Sequence, residues 1–181
     1  MIIDPATPAD LAALHVLIES AYRGDSARAG WSHEADLLGG QRTDFAALAV
    51  MLADPAQAVL VARDGDGGLV GCVAIADRGD GISFIGLVTV DPARQAAGLG
   101  RQLLAEAERC ANIQFAANRS EMTVISLRTE LISWYERRGY ARTGETRPFP
   151  GADPRFGLPR RNDLIFVVLE KPLTSSRSAC P

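Results

Sequence analysis

The chain has 181 residues, of which 47% are hydrophobic and 23% charged, a composition typical of one folded domain rather than a disordered chain. A net charge of -3 gives no general attraction to polyphosphate, which disfavours nucleic-acid binding. No stretch approaches the roughly 20 apolar residues of a membrane span, and Met1 to Asp4 lacks the basic start of a secretory signal, so we expect no membrane association and a cytoplasmic location.

The first elements predicted along the chain are a strand, two capped helices and a hairpin. A short strand, Met1 to Ile3, is followed by Thr7-Pro8-Ala9-Asp10, which supplies an N-cap residue, a first-turn proline and an acid for the first helix. A second capped helix is predicted from Thr43 to Ala53, before Pro55. The β-rich runs Ala58 to Arg63 and Leu69 to Ala76 flank a turn rich in aspartate and glycine, which indicates a hairpin.

The segment from Tyr22 to Arg42 is polar and interrupted by glycines. Within it, Ser32 to Leu38 has a serine N-cap and acids in the first turn, which predicts a short helix. One interpretation is a substrate lid, with Tyr22 supplying an aromatic wall and Glu34 a carboxylate. The other is ordinary helix capping beside a solvated charged face, and the residues alone do not decide between them.

The longest β-pattern, Gly81 to Val90, leads into a loop with glycines at alternate positions and then an amphipathic helix. Backbone N–H groups in the first helical turn have no intrahelical partner, so such a junction can hold an anion. Gly98 and Gly100 lack the Cβ atoms that would keep a pyrophosphate from the backbone. The Walker A and dinucleotide fingerprints do not fit, and a simple turn before a core helix is the alternative.

The C-terminal third predicts a buried strand, Met122 to Ser126, a helix, Glu130 to Arg138, and a strand from Tyr140. The proline- and arginine-rich stretch Arg147 to Asn162 is predicted to be a long loop, before a last strand, Leu164 to Leu169. We expect a single domain over residues 1–173 and a disordered tail over 174–181. The three cysteines lack the short pair spacings of a zinc site, so no metal site is predicted.

Three motifs occur in a fixed order in this chain. They are Val88-Thr89-Val90-Asp91-Pro92, Gln95-Ala96-Ala97-Gly98-Leu99-Gly100 and Tyr135-Glu136-Arg137-Arg138-Gly139-Tyr140. Together they resemble the GCN5-related N-acetyltransferase (GNAT) family, whose cofactor motif is Gln/Arg-x-x-Gly-x-Gly/Ala and whose later signature is Tyr-Glu-x-x-Gly-Phe/Tyr. The resemblance is carried by motifs from about Ser83 to Tyr140 and agrees with the element order from Met1 to Leu173.

The resemblance implies an α/β (α+β) fold with a mixed, mostly antiparallel sheet flanked by helices. In that fold the fourth and fifth strands splay apart, and acetyl-CoA, the cosubstrate, binds in the gap. The backbone of the Val-Thr-Val strand would hold the acetyl and pantetheine end, and the following loop and helix start would hold the pyrophosphate. The implied cofactor-binding residues are Val88, Thr89, Val90, Gln95, Ala96, Ala97, Gly98, Leu99, Gly100 and Arg101.

Tyr135 matches the tyrosine that gives a proton to the departing CoA thiolate in this family, with aromatic packing beside Trp134 as the alternative role. Two positions depart from the pattern. Arg128 stands where many relatives have an asparagine, and Phe84-Ile85-Gly86-Leu87 lacks the glutamate base that some relatives place on the fourth strand. The base is therefore unassigned, with Glu34, Asp36 and Glu130 as candidates.

The function implied is transfer of an acetyl group from acetyl-CoA to a primary amine, by direct attack in a ternary complex. The alternative is an acyl-CoA-binding sensor or interaction module with little catalysis, which the missing strand carboxylate favours slightly. The acceptor remains open among a small molecule, a peptide N-terminus and a protein lysine. Acids such as Glu34 suit a cationic acceptor, whereas Arg128 and the arginines of the long loop suit an acidic one. The sequence leaves open whether the protein is a monomer or a homodimer.

Overall fold

The computed structural model of the chain describes residues 1–23, 27, 30, 34–95, 98–151 and 157–174. The strands are β1 (Ile2–Pro5), β2 (Leu38–Gly39), β3 (Gln57–Arg63), β4 (Leu69–Gly79), β5 (Ile82–Val90), β6 (Arg119–Ile125), β7 (Ala141–Pro148), β8 (Leu158–Pro159) and β9 (Ile165–Pro172). The α-helices with both ends in these ranges are α1 (Leu11–Tyr22), α2 (Phe45–Ala53), α3 (Leu99–Phe115) and α4 (Thr129–Glu136). Short 3-10 helices lie at Pro8–Asp10 and Pro92–Arg94. None of the helices in these ranges is long and apolar enough to cross a bilayer.

Seven strands form one sheet in the order β1-β3-β4-β5-β6-β9-β7. Every neighbouring pair is antiparallel except β5 and β6, which run parallel. The predicted mixed, mostly antiparallel sheet is therefore confirmed. Along the chain, β5 and β6 are the fourth and fifth strands of this sheet. They pair only from Ile82 to Phe84 with Arg119 to Glu121, and beyond Phe84 they separate.

Helices cover both faces of the sheet. On one face α1 and α2 bury Leu14, Ile18 and Leu48 against β3 and β4. On the other face α3 and α4 bury Leu103 and Ile132 among residues of β3 to β6. The steps of three and four between apolar residues in α1 and α3 produce these buried stripes, as the sequence predicts. The two cores fix the ends of β5, α3 and α4 relative to one another.

A β-bulge interrupts β5 where it leaves β6. Cys72 of β4 pairs with Thr89 and Ala74 pairs with Gly86, so Leu87 and Val88 together stand opposite one residue of β4. Leu87 has a φ of 51°, a conformation that costs an L-residue energy, and its carbonyl accepts a hydrogen bond from the Thr89 hydroxyl at 2.8 Å. Because a bulge turns backbone groups away from the ladder, it directs this part of β5 toward the gap.

Two predicted segments differ from the structure. The start of the predicted helix Ser32 to Leu38 lies outside the described residues. From Glu34 onward the chain forms a turn, and Leu38–Gly39 forms β2, paired with β8. The predicted loop Arg147 to Asn162 was wrong at two places, because Arg147 and Pro148 end β7 and Leu158–Pro159 is β8. Strands of two residues have no alternation to detect, and only their tertiary pairing creates them.

Candidate active site

A cavity of about 180 Å3 opens between the end of β5, the start of α3 and one face of α4. Val88 and Val90 line it from β5, and Tyr135 lines it from α4. The other lining residues are Arg94, Gln95, Gly98, Leu99, Gly100, Arg101, Leu131, Trp134 and Arg138. The structure therefore brings together most of the residues for which the sequence predicted cofactor contacts. Ala96 and Ala97, in the same predicted set, lie outside the described residues.

The N-terminus of α3 forms the polar end of this cavity. Gly98 is its N-cap and has a φ of 80°, a left-handed conformation that favours glycine. The N–H of Arg101 donates to the Gly98 carbonyl at 3.1 Å, so the N–H groups available to an anion are those before Arg101. The unpaired N–H groups and the positive end of the helix dipole suit a phosphate.

Arg138 adds a guanidinium to the same cavity and was not among the residues predicted from the sequence. It lies 3.5 Å over the Trp134 ring, and its Nη1 donates to the Trp134 carbonyl. Its Nε is buried and has no hydrogen-bond partner in the described part of the chain. Burial and the charges of Arg137 and Arg101 lower the pKa of Arg138. These repelling charges would be offset by a bound anion.

Of the three β5 residues predicted to contact the cofactor, two line the cavity and one does not. Val88 and Val90 line the cavity, whereas the Thr89 side chain is buried and hydrogen-bonds the Leu87 carbonyl. Because this side chain is occupied, the predicted contact between Thr89 and the cofactor can only be made by the Thr89 backbone. The Tyr22 hydroxyl donates to the Val88 carbonyl at 3.1 Å, which joins α1 to the bulge. Burial raises the pKa of Tyr22, so this donor stays protonated.

Tyr135 occupies the junction between two cavities. Its ring packs edge-on against Trp134, with centroids 5.0 Å apart, and against Tyr140, with centroids 5.8 Å apart. The aromatic packing considered as the alternative role is thus present together with the cavity position. Burial raises the pKa of the Tyr135 hydroxyl well above its usual range, so the hydroxyl is a hydrogen-bond donor at neutral pH.

A second cavity lies on the far side of Tyr135, in the gap between β5 and β6. Its walls are largely apolar and include Phe84, Met122, Phe149 and Phe166. Val88, Leu131 and Tyr135 line this cavity as well as the first one. Tyr22 and Glu34, the two residues predicted to contact the acceptor, also line it. Two cavities that meet at one tyrosine and one stretch of strand backbone can bring two substrates into contact.

Among the described residues, the Glu34 carboxylate and three guanidiniums cluster at the end of this second cavity. Glu34 lies 2.8 Å from Arg23, 3.2 Å from Arg128 and 3.9 Å from Arg42. Burial acts to raise the pKa of Glu34, but the charges of Arg42, Arg128 and Arg23 outweigh it and hold the pKa below its usual range. Arg128, for which the sequence left open a cofactor contact or binding of an acidic group, lines this second cavity and not the one beside α3.

The other predicted acids and loop arginines that the structure describes do not line the cavity, and Arg155 lies outside the described residues. Asp36 and Glu130 are exposed, and neither lies along the gap between β5 and β6. Arg147 pairs with Glu121 and Glu145, and Arg161 pairs with Asp163. In the described ranges no group of three or more His, Cys, Asp or Glu residues is arranged to hold a metal. Arg42, which was not among the residues predicted from the sequence, lines the second cavity together with Arg128.

The paired cavities suit a transferase that moves a group from a phosphate-bearing cosubstrate to a second substrate. Residues 55–142 match the family model described as the acetyltransferase (GNAT) domain, and no curated protein matched the chain. A proposed acyl-CoA N-acyltransferase from Klebsiella pneumoniae is 25% identical, with a TM-score of 0.62 over 96% of this chain and 97% of the other. The match to the family model covers just under half of the chain and identifies a GNAT acetyltransferase domain, and the protein is an acyl-CoA-dependent N-acetyltransferase with acetyl-CoA as cosubstrate.

Two further solved structures share the fold over nearly the whole chain. The ribosomal-protein-alanine N-acetyltransferase from Brucella melitensis is 22% identical, with a TM-score of 0.71 over 96% of this chain and all of the other (100%). A proposed acetyltransferase from Salmonella typhimurium, solved with its cofactor acetyl-CoA, is 20% identical, with a TM-score of 0.70 over 99% and 97%. At these identities the likeness extends to the fold alone.

Proposed function

We propose that the enzyme transfers an acetyl group from acetyl-CoA to a primary amine by direct attack in a ternary complex. The observation that carries the proposal is the pair of cavities that meet at Val88, Leu131 and Tyr135. The cavity beside α3 has the N–H groups and guanidiniums that suit a pyrophosphate. The cavity between β5 and β6 would then hold the acceptor, with its amine at the junction.

The residues at the junction suit the three chemical requirements of acetyl transfer. The amine nitrogen forms a bond to the thioester carbon, and the carbon–sulfur bond breaks. Backbone N–H groups at the bulge of β5 would stabilise the charge that develops on the carbonyl oxygen. Tyr135 would donate its proton to the thiolate and regain one from solvent. An acceptor that begins as an ammonium ion thus gives an N-acetyl amide, CoA thiol and one proton in total.

The acceptor amine must be neutral when it attacks, and an ordinary alkyl ammonium has a pKa of about 10.4. Glu34 is a poor base because its three arginine partners lower its pKa. Asp36 and Glu130 lie away from the gap. We therefore infer that the amine loses its proton to water in the open cavity rather than to a carboxylate of the described residues.

The experiment that tests this function is a thiol-release assay with purified protein, acetyl-CoA and a panel of amines, peptides and alcohols. We expect CoA thiol to appear only when an amine is present, together with an N-acetylated product detected by mass spectrometry. Tight binding of CoA without turnover of any acceptor would support the sensor instead. Transfer through an acetylated enzyme would contradict direct attack, and it would appear as labelled protein before the acceptor is added.

The neighbours in the same fold act on different acceptors. One is described as a ribosomal-protein-alanine N-acetyltransferase and another, 14% identical, as a spermidine N-acetyltransferase from Vibrio cholerae. A polyamine acceptor requires carboxylates to hold its cationic groups. The carboxylate that lines the acceptor cavity in the described residues is Glu34, which already contacts three arginines. We therefore propose a small primary amine and disfavour a polyamine.

A further inference from the structure

Among the described residues, the walls of the cavity between β5 and β6 are mainly apolar and come from four parts of the fold. Phe84 belongs to β5, Met122 and Ile125 belong to β6, Phe149 follows β7, and Phe166 belongs to β9. Met122 and Ile125 are buried, whereas the three phenylalanines are only partly buried. Because large apolar side chains are normally removed from water, partly buried rings that line a cavity are a surface that a ligand can cover.

The position of Phe84 in the sheet explains why its ring is not fully buried. Gly86 pairs with Ala74 of β4, which is buried under α1 and α2, and Phe84 lies two residues before Gly86. Side chains two residues apart leave a strand on the same face, so the Phe84 ring is on the face that carries α1 and α2. These helices bury their apolar residues against β3 and β4, and Phe84 belongs to neither helix-covered core. The ring lines the cavity instead.

Gly86 lets the Phe84 ring lie beside the bulge of β5, where the acceptor amine would be placed. It immediately precedes the bulge, and a Cβ added to it would lie 3.2 Å from Cε1 of Phe84. The ring therefore lies over the strand at the place where other residues have a side chain. Across the gap, the rings of Phe149 and Phe166 pack together with centroids 5.3 Å apart. Apolar surface thus lines both sides of the space next to the junction with the cofactor cavity.

From these contacts we propose that the acceptor is a primary amine with an apolar body, which packs against Phe84, Phe149 and Phe166. This inference rests on the proposed acetyl transfer and names the class of its acceptor. Burial of apolar surface on the acceptor and on the walls favours such a body. A polar body would lose hydrogen bonds to water, because phenylalanine rings offer it no comparable partners. The product would be the N-acetyl derivative of that amine, formed from its ammonium ion with release of CoA thiol and one proton.

The test compares phenethylamine, butylamine and ethanolamine as acceptors, each followed by thiol release and corrected for its fraction of neutral amine. All three carry a primary amine on an unbranched carbon, and they differ in the apolar surface attached to it. We expect kcat/KM to fall in that order, with phenethylamine ahead of ethanolamine by roughly ten- to a hundredfold, the range for burying one aromatic side chain. Equal values for the three, or faster turnover of ethanolamine or of a polar peptide such as triserine, would overturn the inference and leave the acetyltransferase function intact.

A substitution in the apolar wall locates the effect. Phe166→Ala removes one ring and should lower kcat/KM for phenethylamine roughly tenfold, through KM more than kcat, while kcat/KM for ethanolamine changes much less. Phe45→Ala is the matched control, because Phe45 is an exposed ring that stacks on His15 and lines neither cavity. It should leave the preference for phenethylamine as in the wild type. A preference that Phe45→Ala and Phe166→Ala reduce equally would contradict the assignment of this wall.

Gly86→Ala tests the opposite wall without removing a side chain. Gly86 does not have a positive φ, so its backbone accepts the added methyl group, but the Phe84 ring must shift to make room for it. We expect KM for phenethylamine to rise more than KM for ethanolamine, which has no apolar body to be displaced.

Calorimetry with CoA verifies that Phe166→Ala and Gly86→Ala are folded, since neither residue lines the cofactor cavity. Equal effects on both amines in both variants would contradict the proposal. If no amine releases thiol from the wild-type protein, the proposed function fails instead.

Discussion

The side chain of Tyr135 contributes to both cavities, so its hydroxyl can be tested apart from its ring. Tyr135→Phe keeps the packing against Trp134 and removes the proton donor. We expect kcat to fall roughly 10²- to 10⁴-fold, the usual contribution of general acid catalysis, while the affinity for CoA changes little. The measurement is thiol release at saturating substrates, with CoA affinity determined by calorimetry.

Tyr140 provides the control for that prediction. Its ring packs on Tyr135, but its hydroxyl hydrogen-bonds Ser120 at 2.8 Å within the core and lines neither cavity. Tyr140→Phe should therefore lower the free energy of unfolding by about 1 kcal/mol and leave kcat close to wild type. A similar loss of kcat in both variants would indicate that the Tyr135 ring, and not its hydroxyl, matters.

Arg138 lines the cavity beside α3 and was not among the residues predicted from the sequence. We expect Arg138→Gln to weaken CoA binding roughly tenfold, because a guanidinium in the cavity is lost, and the difference should shrink as salt rises. Arg137→Gln is the control, since Arg137 is exposed and does not line this cavity. Comparing CoA with dephospho-CoA in each protein identifies which phosphate is contacted. Equal affinities in all three proteins would exclude Arg138 from the binding site.

The cavity residues that could be predicted from the sequence belong to local motifs, whereas those that could not are recognised only from tertiary contacts. Val88, Gly98 and Tyr135 occur in motifs along one continuous stretch, and all three line the cofactor cavity. Arg138 occupies a variable position of the Tyr-Glu-x-x-Gly motif, so the motif gave it no role. Arg42 lies in a polar segment in which nothing distinguishes it from a solvated arginine. Only the tertiary fold brings it beside Glu34 and Arg128.

At the scale of single elements, the start of α3 determines how the phosphate end of the site is built. Gly98 has a φ of 80°, and an added Cβ meets no atom within 4 Å, so any penalty there comes from the backbone alone. Gly98→Ala should lower the free energy of unfolding by about 1–2 kcal/mol. Urea unfolding followed by circular dichroism measures this change.

Gly100 is the matched glycine for that test, because it lies inside α3 with ordinary helical geometry. Its added Cβ would lie 3.5 Å from Trp134 and 3.6 Å from Val90, which is ordinary contact. Gly100→Ala should therefore keep or raise stability, by up to about 1 kcal/mol from helix propensity. If both variants lose the same stability, the left-handed conformation is not the reason why glycine occupies position 98.

Other elements show why part of the local structure could not be predicted from the sequence. The bulge in β5 depends on pairing with β4, where Leu87 accepts a φ of 51° in a run that looks like a regular strand. β2 and β8 exist only as partners of each other. The capping pattern before Leu38 favoured a helix, but the Glu34 carboxylate contacts Arg23 and Arg128 instead of a helix N-terminus.

For the whole molecule, the fold could be predicted because strand and helix patterns and three ordered motifs all agreed with one architecture. The acceptor cavity could not be predicted in the same way. Its charged cluster combines Arg23 at the end of α1, Arg42 before α2 and Arg128 before α4 with Glu34. These positions are separated by up to about a hundred residues, and no local spacing relates them. The sequence therefore left the surroundings of the acceptor open, because they are assembled by the tertiary fold.

Asp10 is one ionised group through which the stability of the fold should depend on pH. Its carboxylate accepts hydrogen bonds from Arg63 of β3 at 3.0 Å and from the Thr7 N–H at 2.8 Å, which fixes β1 and the start of α1 to the sheet. The hydrogen bond from Arg63 is the main cause that lowers the pKa of Asp10 from 3.8 to about 2. Because the folded-state pKa is the lower one, this stabilisation is complete above the unfolded pKa and is lost as pH falls from about 4 to about 2.

Asp10→Asn should therefore lower the free energy of unfolding by about 2 kcal/mol at pH 7, and by progressively less as the pH falls below 4. Urea unfolding at pH 7, 5 and 3.5 measures the difference between the variant and the wild type. Asp66→Asn is the control, since Asp66 is exposed in the hairpin turn and should show no such dependence. A difference between Asp10→Asn and wild type that stays constant with pH would mean that packing at this corner of the sheet, and not the charge of Asp10, holds β1 in place.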